Sequence, residues 1–124
     1  MVLTSQSIMA IVRRCPSPIH ELQDREIERD LNAGKLRTRL VGNPENIALC
    51  LYAIDGKELF IAALKSLKTN FDVDLSTTTL ADLTQIAKEH KCEFIRFHTF
   101  RPGLVAKAFE QGFLPTEFVL RKKL

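Results

Sequence analysis

The sequence predicts an α/β (α+β) domain built on a mixed, mostly antiparallel sheet with helices packed on both faces. Three observations carry that prediction. Along 124 residues the apolar pattern switches repeatedly between a period of two and a period near helical spacing, which interleaves strands with helices instead of segregating them. The run Ile47-Ala-Leu-Cys-Leu-Tyr-Ala-Ile54 is apolar throughout, so both of its faces need cover and it belongs at the centre of the sheet. Asp55-Gly56 follows directly and leads into Glu58-Leu-Phe-Ile-Ala-Ala-Leu64, the pattern of a tight hairpin between antiparallel strands.

The elements follow in order. In Ser7 to Val12, Ile8, Ala10 and Val12 alternate with Met9 and Ile11, which reads as a first strand ended by Pro16 and Pro18. Ser17 is a good N-cap with Pro18 at the first helical position, Leu22, Ile27 and Leu31 recur near helical spacing, and Gly34 supplies the stop; a helix is expected over about 18–32. Leu36 to Val41 forms a second strand and Gly42-Asn43-Pro44-Glu45-Asn46 a turn. Strands 47–54 and 58–64 complete three consecutive antiparallel strands. Lys65 to Ser76 is polar and irregular, after which Ser76-Thr77-Thr78-Thr79 caps a helix over about 78–91 with Leu80, Leu83, Ile86 and Ala87 on one face. In Glu93 to Phe100, Ile95 and Phe97 alternate with Phe94, Arg96, His98 and Phe100, a strand with one apolar and one mixed face that runs parallel to 58–64 through the intervening helix. Pro102 opens a last helix with the stripe Leu104, Val105, Ala108 and Phe109, Gly112-Phe113 ends it, and Thr116 to Arg121 forms a final strand. The core is expected to contain Leu49, Leu51, Phe60, Ile95, Phe97, Leu104, Phe109, Phe113 and Phe118.

Length, charge and cysteine usage narrow the functional classes. A chain of 124 residues with no repeat or linker is expected to form a single domain, 1–124. Its longest apolar run, Ile47 to Ile54, is far short of the roughly 20 residues that span a bilayer, and Met1-Val-Leu-Thr-Ser lacks a basic leader. A cytoplasmic protein without a membrane partner is expected. Residues 90–124 carry seven basic side chains against three acidic, within a formal net charge of only +3, so no dominating field invites nucleic acid. Cys15, Cys50 and Cys92 are odd in number and lack C-x-x-C spacing, which predicts buried free thiols in place of a disulfide framework, and no metal site.

The closing stretch Ile95-Arg-Phe-His-Thr-Phe-Arg-Pro-Gly-Leu-Val-Ala-Lys-Ala-Phe-Glu-Gln-Gly-Phe113, with its following Glu117-Phe-Val-Leu-Arg-Lys-Lys-Leu124, resembles the GNAT acyltransferase superfamily. There a strand, a helix ending in Gly-Phe and a final acidic-aromatic-aliphatic-aliphatic-basic strand close the domain. The resemblance covers nearly the whole chain in element order and about the last 30 residues in pattern. With one helix expected before the second strand where most members have two, the chain is similar in size to small GNAT-like proteins of bacteriophages.

The resemblance implies acetyl-CoA as cofactor. In the family its pyrophosphate rests on backbone N–H groups of a glycine-rich loop at a helix N-terminus. The corresponding stretch here, Lys65 to Thr79, contains no glycine and includes Asp72 and Asp74. The residues left to hold an anion are Lys65, Lys68, Thr77, Thr78 and Thr79. The family's tyrosine general acid would fall at Ala108 or Phe109, neither of which can transfer a proton. His98 is the remaining candidate base, and Arg96 and Arg101 the candidate ligand-binding cations at the end of the same strand. Two functions are therefore expected: a GNAT-like binding or structural module with lost or altered acetyl-CoA binding, or an N-acetyltransferase acting on an amine.

Overall fold

The computed structural model describes residues 3–14, 18–68, 76–98, 102–117, 120 and 122–124. Its elements are α1 (Ser5–Val12), α2 (Pro18–Asn32), β1 (Arg37–Val41), β2 (Ala48–Asp55), β3 (Glu58–Ser66), α3 (Thr77–Glu89), β4 (Phe94–Phe97) and α4 (Pro102–Glu110). The strands form one sheet in the order β1-β2-β3-β4, with β1, β2 and β3 antiparallel and β4 parallel to β3. The fold class, the hairpin and the parallel crossover through α3 agree with the sequence reading.

The first element does not. Residues 7–12 belong to a helix, α1, and not to a strand. Thr4 and Ser7 form a reciprocal capping box, Ser7 N–H donating to Thr4 Oγ1 at 3.1 Å and Thr4 N–H to Ser7 Oγ at 2.9 Å, which satisfies two of the donors a helix start leaves open. Ile8, Met9, Ile11 and Val12 are all buried and Ala10 is exposed. That set lies on one side of a helix, whereas a strand would turn Met9 and Ile11 away from Ile8 and Val12. Two helices thus precede the sheet, where one helix behind a strand was expected. The expected N-cap Ser17 and thiol Cys15 lie outside the described residues.

Two packed layers flank the sheet. On one face Ile8, Met9, Ile11 and Val12 of α1 and Ile27 of α2 cover Leu49, Leu51 and Ala63. On the other, Leu83, Ile86 and Ala87 of α3 and Ala108 of α4 cover Val41, Ala48, Cys50, Tyr52, Leu59 and Ile61. Leu49 and Leu51 alternate with Cys50 and Tyr52, as a central strand covered on both sides requires. The alternation along β3 breaks once. Leu51 pairs with Ala63 but Tyr52 with Ile61, leaving Ala62 as an extra residue. This bulge sends Ala63 to the face opposite Leu59 and Ile61.

Helices α3 and α4 end in the same way. Cys92 N–H bonds to Ala87 O at 2.8 Å and Lys91 N–H to Lys88 O at 3.1 Å; Phe113 N–H bonds to Ala108 O at 3.0 Å and Gly112 N–H to Phe109 O at 3.2 Å. Both are Schellman stops, which need a left-handed residue after the cap. Gly112 supplies it at φ 90°, but α3 places Lys91 there at φ 57°. A side chain in that region costs about 1–2 kcal/mol, partly offset by the greater freedom of glycine when unfolded. Lys91→Gly is expected to stabilise the fold by about 0.5–1 kcal/mol in chemical denaturation; an unchanged or lower midpoint would show that Lys91 makes a compensating contact.

Beyond Gly112 the expected strand 116–121 is not formed by its described members: Thr116, Glu117 and Leu120 join no ladder. Val119, like Phe118 and Arg121, lies outside the described residues. Phe109, expected in the core, is 54% exposed. The α4 stripe turns Ala108 inward and leaves its neighbour at the rim. Phe60, Ile95, Phe97, Leu104 and Phe113 are half-buried, and Leu49 and Leu51 are fully buried. The polar stretch begins later than expected, because Lys65 and Ser66 still belong to β3.

Candidate functional site

Among the described residues strands β3 and β4 pair over Glu58 to Ile61 against Phe94 to Phe97. From Ala62 to Ser66, β3 keeps β2 as its only partner strand among the described residues. The bulge stands where the two strands part. Beyond that point no described strand lies on the β4 side of β3.

His98 follows the last residue of β4 at this fork. Its ring packs on Phe60, centroids 5.3 Å apart, and its Nε2 lies 3.5 Å from Glu117 Oε2. Arg96, opposite Phe60 in the ladder, lays its guanidinium 4.8 Å above the same ring, a cation–π contact. Its two terminal nitrogens meet three carboxylates: Asp55 at 3.3 Å, Glu58 at 3.5 Å and Glu117 at 3.4 Å. Its Nε is buried without a hydrogen-bond partner. Arg96 is thus already neutralised by acidic groups, and an external anion would have to compete with all three. Arg101 lies outside the described residues.

The anion-binding residues expected from sequence fall in separate places. Ser76 is the N-cap of α3: its Oγ accepts from Thr79 N–H at 3.2 Å and its hydroxyl donates to Thr79 Oγ1 at 3.0 Å. Thr79 is 1% exposed, while Thr77 and Thr78 are exposed. Lys68 donates its Nζ to the Pro44 carbonyl at 2.7 Å. Lys65 is 8% exposed and stands opposite Leu49 in the ladder, on the face covered by α1 and α2 and not on the face covered by α3.

Other candidates resolve as structure. Burial pushes the Cys50 thiol up to about 12, against a smaller opposing pull from Arg39, so the thiolate nucleophile is absent at neutral pH. Arg39 is shifted up, first by its hydrogen bond to Glu89; the pair is 2.8 Å apart. Tyr52 is buried against His90, ring centroids 6.1 Å apart. Ala108 is buried in the core. Among the described residues no group of three or more His, Cys, Asp and Glu could hold a metal ion, and no helix is long and apolar enough to cross a membrane.

Sequence reasoning named His98 and Arg96 as candidates but not Phe60, Asp55, Glu58 and Glu117, which the fold places around them. Aligning β4 with the hairpin would have exposed the first three, since Phe60 faces Arg96 and the two acids bracket the turn. Glu117 has no local signal.

The chain superimposes on the solved structure titled "Putative acetyl transferase from Pyrococcus furiosus" with a TM-score of 0.59 and 16% identity, over 97% of this chain and 88% of that one. The fold is GNAT-like. No family model matches the chain, and no curated protein matches it in sequence. Within this GNAT-like domain the fork between β3 and β4, with His98 at its mouth, is the candidate site.

Proposed function

We propose that this GNAT-like domain is a binding module in which ordinary acetyl-CoA binding is lost or altered. The N-terminus of α3 carries this reading. A pyrophosphate needs backbone N–H groups that it can approach closely, and glycine favours that approach because it has no Cβ. Here the Thr79 N–H is taken by Ser76, the Thr79 hydroxyl is buried, and residues 65–79 contain no glycine. Asp72 and Asp74 add negative charge to the same stretch of sequence. The residues present do not fit the group that the fold family uses.

Acetyl-CoA is expected to bind with a Kd weaker than about 0.1 mM, some 5–6 kcal/mol of binding free energy at most. Isothermal titration calorimetry tests this. A micromolar Kd that is lost in Thr77→Glu and Thr78→Glu, two exposed positions, would overturn the module and restore the enzyme.

A second reading, an N-acetyltransferase acting on an amine, is favoured by one observation. The backbone of β3 beyond Ile61 is open toward β4 among the described residues, with a half-exposed imidazole at the end of β4. In that reading His98 is the residue able to accept a proton from the amine, and the same titration separates the two.

A further inference from the structure

The tip of the β2–β3 hairpin carries a reactive peptide. Gly56 is the one glycine of the chain's five that follows an Asp or Asn, and glycine, lacking a Cβ, leaves its amide nitrogen free to reach the preceding side-chain carboxyl. A Cβ placed at Gly56 would meet nothing within 4 Å, and the Asp55 side chain is 68% exposed. Packing therefore shields neither reactant, and water reaches both. In the rearrangement the Gly56 nitrogen bonds to Asp55 Cγ while its proton and the carboxyl hydroxyl leave as water. A second water opens the resulting ring at the main-chain carbonyl of Asp55, breaking its bond to nitrogen, and the chain then runs on through Cγ as isoaspartate. Water is the only co-reactant.

We propose that Asp55-Gly56 is a latent isoaspartate-forming site, which β4 and the residue before it hold unreactive by clamping the hairpin tip. Closing the five-membered ring needs Asp55 Cβ and Gly56 N nearly eclipsed about the Asp55 Cα–C bond. Asp55 is the last residue of β2 and pairs with Glu58 across the turn Gly56-Lys57, and the extended backbone of a strand keeps those two atoms far from eclipsed. The reaction therefore waits for Asp55 to leave the ladder. Two backbone bonds and an ion pair oppose that. The Lys57 carbonyl accepts from Glu93 N–H at 2.7 Å and from Phe94 N–H at 3.2 Å, and Arg96 Nη2 lies 3.3 Å from Asp55 Oδ2. The guanidinium is itself seated over the Phe60 ring, so its grip on Asp55 is anchored in the sheet. Isomerisation adds one carbon to the main chain at the closing pair of the hairpin and carries the carboxylate off the side chain, which takes a partner from Arg96 at the candidate site. The proposal stands independently of which ligand the domain takes.

The test is prolonged incubation of the intact chain at neutral pH and body temperature, followed by tryptic mapping that separates aspartyl from isoaspartyl peptides of equal mass. Isoaspartate is expected to appear first at residue 55, and at least about tenfold faster in urea above the unfolding midpoint than in native buffer, because in the folded chain the hairpin must open locally. Arg96→Gln, checked as folded by circular dichroism, should raise the native rate by up to about five-fold, the range a half-exposed ion pair supplies. Wild type in about 1 M NaCl, which screens that pair and spares the backbone bonds, should move the same way and serves if the variant does not fold. Gly56→Ala should slow the rate in urea several-fold, since its Cβ crowds the attacking nitrogen. Equal rates in native buffer and urea would overturn the clamp, and a rate that neither Arg96→Gln nor salt changes would overturn the part given to Arg96. Isoaspartate forming first at another residue, or at an unchanged rate in Gly56→Ala, would overturn the site.

Discussion

Leu51→Ala is expected to lower stability by about 2–5 kcal/mol, while Phe109→Ala changes it by less than about 0.5 kcal/mol. The two residues were equal candidates for the core by periodicity. Leu51 is fully buried on β2, in the cluster that also holds Ile8, Val12 and Ile27; truncation removes transfer free energy and leaves a cavity that the sheet cannot collapse into, since β1 and β3 hold β2 on both sides. Phe109 has little contact to lose. In thermal unfolding the Leu51 variant should melt roughly 8–20 °C lower, on the basis of about 4 °C per kcal/mol for a domain of this size. Comparable losses in both variants would mean that α4 buries Phe109 in solution and that its orientation on the sheet is different.

The second large effect is expected at Gly42. Gly42→Ala should destabilise by about 2–4 kcal/mol, against about 1 kcal/mol for Gly56→Ala. Both glycines have positive φ, 91° and 60°, so both substitutions carry conformational strain. At Gly56 an added Cβ meets open space, whereas at Gly42 it lies 2.4 Å from the Asn46 carbonyl oxygen. That oxygen belongs to the backbone of the β1–β2 loop and cannot swing aside as a side chain would. The Gly42 N–H is also bound to Asp82 Oδ2 of α3 at 2.7 Å, so relieving the clash strains the bond that ties the loop to the helix. Urea denaturation of both variants checks the ranking; similar midpoints would show that the loop relaxes freely.

Where a signal is short-range it was legible without coordinates. The hairpin at Asp55-Gly56, the stop at Gly112 and the Ser76 cap each depend on a handful of consecutive residues, and each is present. The central position of β2 was equally legible, because a strand apolar on both faces has nowhere else to go. The N-terminus was ambiguous at that level. The pentapeptide Ile8 to Val12 is apolar at every position, so it satisfies both periods, and the choice rests on the capping box at Thr4 and on the sheet face that α1 covers.

The candidate site divides in the same way. His98 and Arg96 could be named from the sequence because they share a strand face with alternating phenylalanines. Their surroundings could not, since Asp55 lies 41 residues from Arg96 and Glu117 lies 21 residues away on the other side. The parallel register of β3 and β4 brings the hairpin acids under Arg96, and the turn after α4 returns Glu117 to it. Residue types and local periods determined which elements form and which side chains are available. Only the packing of those elements decided which charges meet, because electrostatic partnership depends on distance in space and not on separation along the chain.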